Sequence, residues 1–272
     1  VTKANLFFAR GVIIVEGDAE NILVPTIAAL IDRDLTESGV SIVNVGGTGL
    51  RRYARIFQRK NPAEDGVIGI PVACIADTDV MPECAPEIIG KVKAGENWPE
   101  GRRWKVESDF QEGELDMHKQ AIRAHASGQS VETFVSDHWT LEYDLARAGL
   151  DRELFLAIAL AKKDEDIASE KVKVIGVTRQ ALKDWKTFVD EAMPDDERAA
   201  RIYAPLAKGS VSKSVTAQYL ARILSRTGLR HQRSPAAWQV VLPDYIVDAI
   251  QHVTSAASAP EAGPAAQDQP QD

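Results

Sequence analysis

Cysteine is nearly missing from this sequence: Cys74 and Cys84 are the two among 272 residues. Two thiols in apolar surroundings cannot build a disulfide framework or a zinc cluster, so a reduced, cytoplasmic protein is expected. Long hydrophobic runs are missing too. Nothing approaches the roughly 18 consecutive apolar residues of a membrane-spanning helix. No basic segment followed by an apolar one opens the chain, as a secretion signal would. The five histidines are scattered without ligand spacing, and the five tryptophans read as packing residues rather than base-stacking platforms. Val1 stands where Met would begin a complete chain and a strand follows almost at once, so a piece of a longer protein is expected.

Positive charge is in the minority. The net charge of −8 argues against a uniformly basic nucleic-acid binder. Acids, however, are absent from two windows. Residues 47–63 carry Arg51, Arg52, Arg55, Arg59 and Lys60, and residues 198–233 carry Arg198, Arg201, Lys208, Lys213, Arg222, Arg226, Arg230 and Arg233. Two such stretches within an acidic protein fit a localised phosphate-binding surface. A solvated helix face is the commoner explanation for the fourth-residue spacing of Arg51, Arg55 and Arg59 and of Arg222, Arg226 and Arg230. The lack of intervening acids tips the reading toward phosphate contacts.

What is present centres on Gly11 to Glu20, GVIIVEGDAE. Val12 to Val15 is a β-branched run that reads as a strand buried on both faces. Gly17 permits a sharp turn, Asp18 is placed to cap the next helix, and Glu20 falls in its first turn. Apolar spacing predicts that helix over Asn21–Leu35, kinked or irregular at Pro25. Further strands are predicted at Ser41–Val45, Gly69–Ala76 and Glu132–Val135, with Arg102–Val106 as an edge strand. Helices are expected over Leu50–Lys60, Glu83–Lys93 and Glu112–Ser127. Strands alternating with helices imply an α/β fold with a mostly parallel sheet. From Thr140 the pattern turns helical, at Leu141–Ala148, Arg152–Lys163, Arg179–Ala192, Glu197–Leu206, Val211–Thr227 and Tyr245–His252. Lys171–Val177 is the one strand-like run. The expected organisation is a core over 1–148, a helical insertion over 149–199, a return to the core with a basic helix over 200–254, and a disordered tail over 255–272.

A second acidic pair, Asp77 and Asp79, follows the third strand. Residues two apart in an extended stretch face one side, and adjacent parallel strands would bring them beside Glu16 and Glu20. Oxygen donors without His or Cys indicate magnesium or manganese rather than zinc. Carboxylates packed together repel, and divalent cations offer the simplest compensation. Either pair taken alone reads equally well as a helix cap or a turn. Gly46-Gly47-Thr48-Gly49 does not match GxGxxG, and a tight strand-to-helix turn accounts for it.

Glu16-Gly17 with Glu20, followed by Asp77-Thr78-Asp79, resembles the Toprim domain of topoisomerases, primases and related nucleases. Within that superfamily the chain is similar to the overcoming-lysogenization-defect (OLD) nucleases. The residues carrying this likeness are Glu16-Gly17-Asp18-Ala19-Glu20, Gly46-Gly47, the Asp pair, the stretch Thr140-Leu141-Glu142-Tyr143-Asp144-Leu145-Ala146, and Ser212-Lys213 before a helix. The resemblance implies a Rossmann-like Toprim sheet flanked by helices. It also implies a DNA endonuclease or nickase working with two Mg2+ or Mn2+ ions, and an ABC-type ATPase domain as its neighbour in full-length proteins. No GxxxxGK[ST] motif lies in this chain. Glu16, Glu20, Asp77, Asp79 and Glu142 become candidate metal ligands, although Glu142 on its own reads as a solvated acid at a helix start. Glu16 is also a candidate catalytic group, and Ser136 a weaker candidate whose plain reading is a turn former. Lys213 in KGSVSKS is the candidate catalytic lysine, with Lys208 its competitor. Arg51, Arg55, Lys208, Arg222 and Arg226 are candidate DNA contacts. Two other classes stay open: a DxD phosphatase, which would carry its DxD after the first strand, and a non-catalytic DNA-binding Toprim module.

Overall fold

The apolar run after Arg10 forms β1 (Gly11–Val15), and every residue of it is buried. Strand alternation divides its side chains between two hydrophobic clusters, Val12 and Ile14 in one, Ile13 and Val15 in the other. A strand covered on both faces needs this unbroken apolar run. The computed structural model describes residues 8–47, 49–189, 192–231 and 233–255, the side chains of 229–231 excepted. The expected tail beyond Ser255 and the side chain of Arg230 lie outside the described residues.

From β1 the chain enters α1 (Asp18–Leu30) and returns through β2 (Val40–Asn44). Helices α2 (Leu50–Ala54) and α3 (Pro62–Asp65) precede β3 (Val72–Ala76). Then come β4 (Val80–Met81), α4 (Ala85–Ile88), β5 (Lys105–Val106), α5 (Glu114–Ala126) and β6 (Val131–Val135). The remainder is helical: α6 (Leu141–Leu145), α7 (Asp151–Ala161), α8 (Asp164–Ala168), α9 (Val174–Phe188) and α10 (Asp195–Ala207). It closes with α11 (Lys213–His231), α12 (Pro235–Gln239) and α13 (Asp244–Ser255). The main sheet is parallel throughout, with strand order β2-β1-β3-β6. Leu50 and Ala54 of α2 and Ala126 at the end of α5 cover the Val12 face. Helices α1 and α13 cover the Ile13 face, and α11 packs behind them between α1 and α7. This is an α/β fold with a helix-flanked parallel sheet.

Several elements differ from expectation, each for a local reason. Lys171–Val177 is no strand: α9 starts at Val174, and Val174, Val177, Ala181, Trp185 and Phe188 recur at helical spacing. Trp185 and Phe188 stack against Phe155 of α7, so tertiary packing overrides the β-branched start. The helix expected to reach Lys60 is α2 followed by one tighter turn, Arg55–Phe57. Beyond it the Arg59 amide donates to Gln129 Oε1 (2.9 Å) and the Gln129 amide donates back to the Arg59 carbonyl (2.8 Å), which pulls Arg59 off the helical face of Arg51 and Arg55. Within Glu83–Lys93 only Ala85–Ile88 is helical. The expected edge strand shrinks to Lys105–Val106, paired with Val80–Met81 in a separate small sheet. Helix α1 runs unbroken through Pro25. Asp18 does not cap it; its carboxylate accepts from Asn44 Nδ2 (2.6 Å), which ties α1 to the end of β2.

Candidate active site

Strands β1 and β3 are neighbours, but the next strands along the chain, β2 and β6, lie on opposite sides of that pair. Such a reversal leaves a crevice at the strands' carboxyl ends. Glu16 follows β1 and Asp77 follows β3, and both line a cleft of about 370 Å3 together with Glu20, Glu142 and Lys213.

The first turn of α1 sets Glu20. Its carboxylate folds back over Gly17, where an added Cβ would sit 2.7 Å from Glu20 Oε2. A side chain there would displace the carboxylate, which explains glycine inside EGxxE. Glu16 is anchored through its backbone: the Gly47 amide donates to the Glu16 carbonyl (2.9 Å), and Gly46 and Gly47 turn with φ of 67° and 89°. The Gly46-Gly47 stretch therefore serves the site as a turn that holds Glu16.

The Asp77-Thr78-Asp79 loop is held from β6. The Thr78 amide donates to Ser136 Oγ (2.7 Å), the Thr78 hydroxyl donates to the Ser136 carbonyl, and the Ser136 amide donates to the Ala76 carbonyl (2.9 Å). Thr78 and Ser136 are both buried. Asp79 adopts φ of 58°, its amide donating to the Trp139 carbonyl (3.2 Å). Asp79 is exposed, while Asp77 is partly buried and lines the cleft. Asp79 still acts on Glu16 through its charge.

Glu142 is not a solvated acid. All of α6 is buried, the Tyr143 amide donates to the capping Thr140 hydroxyl (3.5 Å), and Glu142 is 4% exposed in the first turn. Its Oε2 accepts from Lys213 Nζ at 3.1 Å, across 71 residues of sequence, while the buried Oε1 has no hydrogen-bond partner among the described residues. Lys213 opens α11 directly after Ser212, whose hydroxyl accepts from the Val215 amide (3.3 Å). Its ammonium also lies over the Tyr203 ring, 5.3 Å from the centroid.

The electrostatics are those of crowded acids. Burial, then Asp79 and Glu20, raise Glu16 above its ordinary pKa. Burial also dominates at Glu20, partly offset by its own backbone amide, with Glu142 raising and Lys213 lowering the net upward shift. Asp77 is pushed well above the carboxylate range by burial, then by Glu142 and Glu20. Burial pulls Lys213 down, but Glu142 and Tyr203 outweigh it and hold the lysine protonated.

The donor set suits a hard divalent cation: oxygen only, several carboxylates strained by one another, and one buried carboxylate oxygen lacking a partner. As they stand, the acids ring the cleft without closing on a point; among the described residues no three His, Cys, Asp or Glu side chains converge to enclose an ion. Glu20 lies against its own backbone and Glu142 is engaged by Lys213, which accounts for the open ring.

The other candidates are spread out. Lys208 is exposed and lines no part of this cleft. Arg51 is exposed at the start of α2 near Glu16, and Arg55 is exposed one turn on. Arg222 and Arg226 lie roughly 14 and 20 Å along α11 from Lys213, at the helical rise per residue. There they line a separate cleft with Leu156 and Val174. Three supporting residues escaped the sequence reading. Thr78 was hidden inside the DxD pattern. Tyr203 carried no motif. Tyr245, whose buried hydroxyl lies near the acids with no hydrogen-bond partner among the described residues, stood out only as the start of a predicted helix.

A reversed parallel sheet with an EGxxE turn, a DxD loop and a helix-borne lysine at its carboxyl edge is the architecture of a Toprim-type α/β domain. More narrowly, residues 7–79 match the family model for the overcoming lysogenization defect protein-like TOPRIM domain. The fold is similar to that of the C-terminal region of the Xanthomonas campestris pv. campestris OLD protein, at 23% identity over 93% of this chain and 96% of that one, with a TM-score of 0.51. The C-terminal region of the Burkholderia pseudomallei OLD protein is similar at 24% identity over 93% of this chain and 100% of that one, with a TM-score of 0.50. No curated protein sequence matches the chain.

Proposed function

We propose that this chain is a divalent-cation-dependent DNA nuclease, cutting as an endonuclease or nickase. The observation that carries the reading is the ion pair of Lys213 with buried Glu142 in the same cleft as Glu16, Glu20 and Asp77. A protonated lysine held by one buried acid beside three more carboxylates is placed to meet a reacting anion. Glu16, Glu20, Asp77, Asp79 and Glu142 would hold two Mg2+ or Mn2+ ions, which when bound supply an activated water and offset charge on the leaving oxygen. Lys213 stays protonated and offers its ammonium to a non-bridging phosphate oxygen, exchanging it for Glu142 Oε2. Ser136 and Thr78 hold the Asp77–Asp79 loop in place while this happens. Arg51, Arg55, Lys208, Arg222 and Arg226 are proposed DNA contacts. An ABC-type ATPase module is the proposed neighbour in the full-length protein.

The test is supercoiled plasmid and p-nitrophenyl phosphate, each with magnesium, manganese or chelator. Metal-dependent plasmid cutting that chelator abolishes is the expected result. Turnover of p-nitrophenyl phosphate alone would favour a phosphatase, and DNA binding without cutting would leave a binding module.

A further inference from the structure

A second cleft, of about 460 Å3, opens next to the first, and the two share Glu16. Alternation along β1 explains the sharing: continued past Val15, it sends Glu16 toward the Val12 and Ile14 side, the side covered by α2 and α5. One wall is Leu50 and Arg51 at the start of α2. The other is His118, Ile122 and His125, which recur at helical spacing on one face of α5. The floor is Ala76, the last residue of β3, and Thr133, in the middle of β6.

We propose that this cleft receives the nucleoside flanking the scissile phosphate, splayed out of its stack. The proposal deepens the nuclease reading and rests on it. The volume falls in the range of about 300–1,000 Å3 usual for small-ligand sites, which are mostly apolar with a few placed polar groups. Leu50, Ala76 and Ile122 supply apolar contact for a base, and the flat imidazoles of His118 and His125 are rings on which one can stack. The His118 ring is fixed: its Nε2 lies 3.3 Å from the Thr78 carbonyl, which can only accept, so His118 donates there and is tied to the DxD loop. On the floor, the buried Thr133 hydroxyl has the Cys74 thiol as a neighbour and no well-aligned hydrogen-bond partner among the described residues. A base edge would supply one. Exposed Arg51 at the rim is placed for the next phosphate. Because Glu16 borders both clefts, a phosphate in the first has its nucleoside at the mouth of the second.

The experiment is NMR of the histidine ring resonances in the whole protein with chelator present. Thymidine 5′-monophosphate, thymidine and inorganic phosphate are titrated separately. The first two are expected to shift His118 and His125 and inorganic phosphate to leave both in place. Ala121→Trp, a change at an exposed lining position, should weaken the monophosphate by about tenfold or more by occupying the cleft. Thr133→Val should weaken it less. Histidines that ignore the monophosphate, respond equally to inorganic phosphate, or titrate unchanged in both variants would overturn the proposal. Plasmid cutting is followed in parallel. Cutting without histidine shifts removes the cleft alone; shifts without cutting leave nucleoside binding and remove the nuclease reading.

Discussion

A lysine as the first residue of a helix sits against the positive end of the dipole, where a carboxylate would be the stabilising choice. Lys213 holds that position in α11 because Glu142, 3.1 Å away, and the Tyr203 ring compensate it. Lys213→Ala is expected to lower plasmid cutting roughly 10²-fold or more, the scale of losing one transition-state donor. Lys213→Arg should recover part of this, since a planar fork replaces a compact charge. Lys208→Ala should weaken DNA binding yet cut at nearly the parent's rate on saturating plasmid, because Lys208 stands outside the cleft. A crippled Lys208→Ala beside an active Lys213→Ala would reverse the assignment. Gly17 makes a second prediction at this scale. Its Cβ would meet Glu20 Oε2, so Gly17→Ala should leave the thermal melt nearly unchanged and reduce cutting by up to about 10²-fold, as a displaced active-site group does.

Among elements, β6 does more than pair with β3, since its end carries the Ser136 clamp on the Asp77–Asp79 loop. Ser136→Ala strands the buried Thr78 amide, at a cost of about 1–3 kcal/mol. A lowered denaturant midpoint should therefore accompany lost metal-dependent activity, whereas an unchanged midpoint would return Ser136 to an ordinary turn. Helix α11 is the other element on which the site depends. Leu220 and Leu224, fully buried, seat it in the main core, and the same helix presents Lys213 to the cleft. Leu224→Ala should cost about 2–5 kcal/mol by calorimetry or chemical denaturation.

For the molecule as a whole, the crowded acids make stability depend on pH in a definite direction. Glu16, Glu20 and Asp77 have raised pKa values in the folded state, so the native protein holds protons that the unfolded chain has released. Stability from these groups is complete below the ordinary carboxylate range and is lost as pH rises through the raised values. In chelator, the melting temperature should therefore fall from acid toward neutral pH. Asp77→Asn should melt higher than the parent at neutral pH while losing activity. Magnesium or manganese should restore the parent's stability, as any ligand of the native state does. A parent protein whose neutral-pH melt ignores both metals would argue against cation binding.

Much of this was legible in the sequence, and the reason is local. The run Val12 to Val15, the EGxxE turn and the DxD after another apolar run are short-range patterns, and strand alternation with helix spacing reads them correctly. The α/β class and the acids at the carboxyl edge followed from that. Tertiary structure decided what local pattern cannot. Whether Glu142 is solvated or buried depends on how α6 packs, and its partner lies 71 residues away. Ser136 looked like a turn former until its contacts with Thr78 appeared, because a clamp exists only between two elements. Lys171–Val177 became the entry to a helix because Phe155 on α7 offered a surface for Trp185 and Phe188. The sequence by itself determined which chemistry was at hand, oxygen donors and one lysine. Only the packing of α6 against α7 and α10, and of α11 against α1 and α7, decided which of those groups meet, since contacts between distant segments depend on the shape of the whole core.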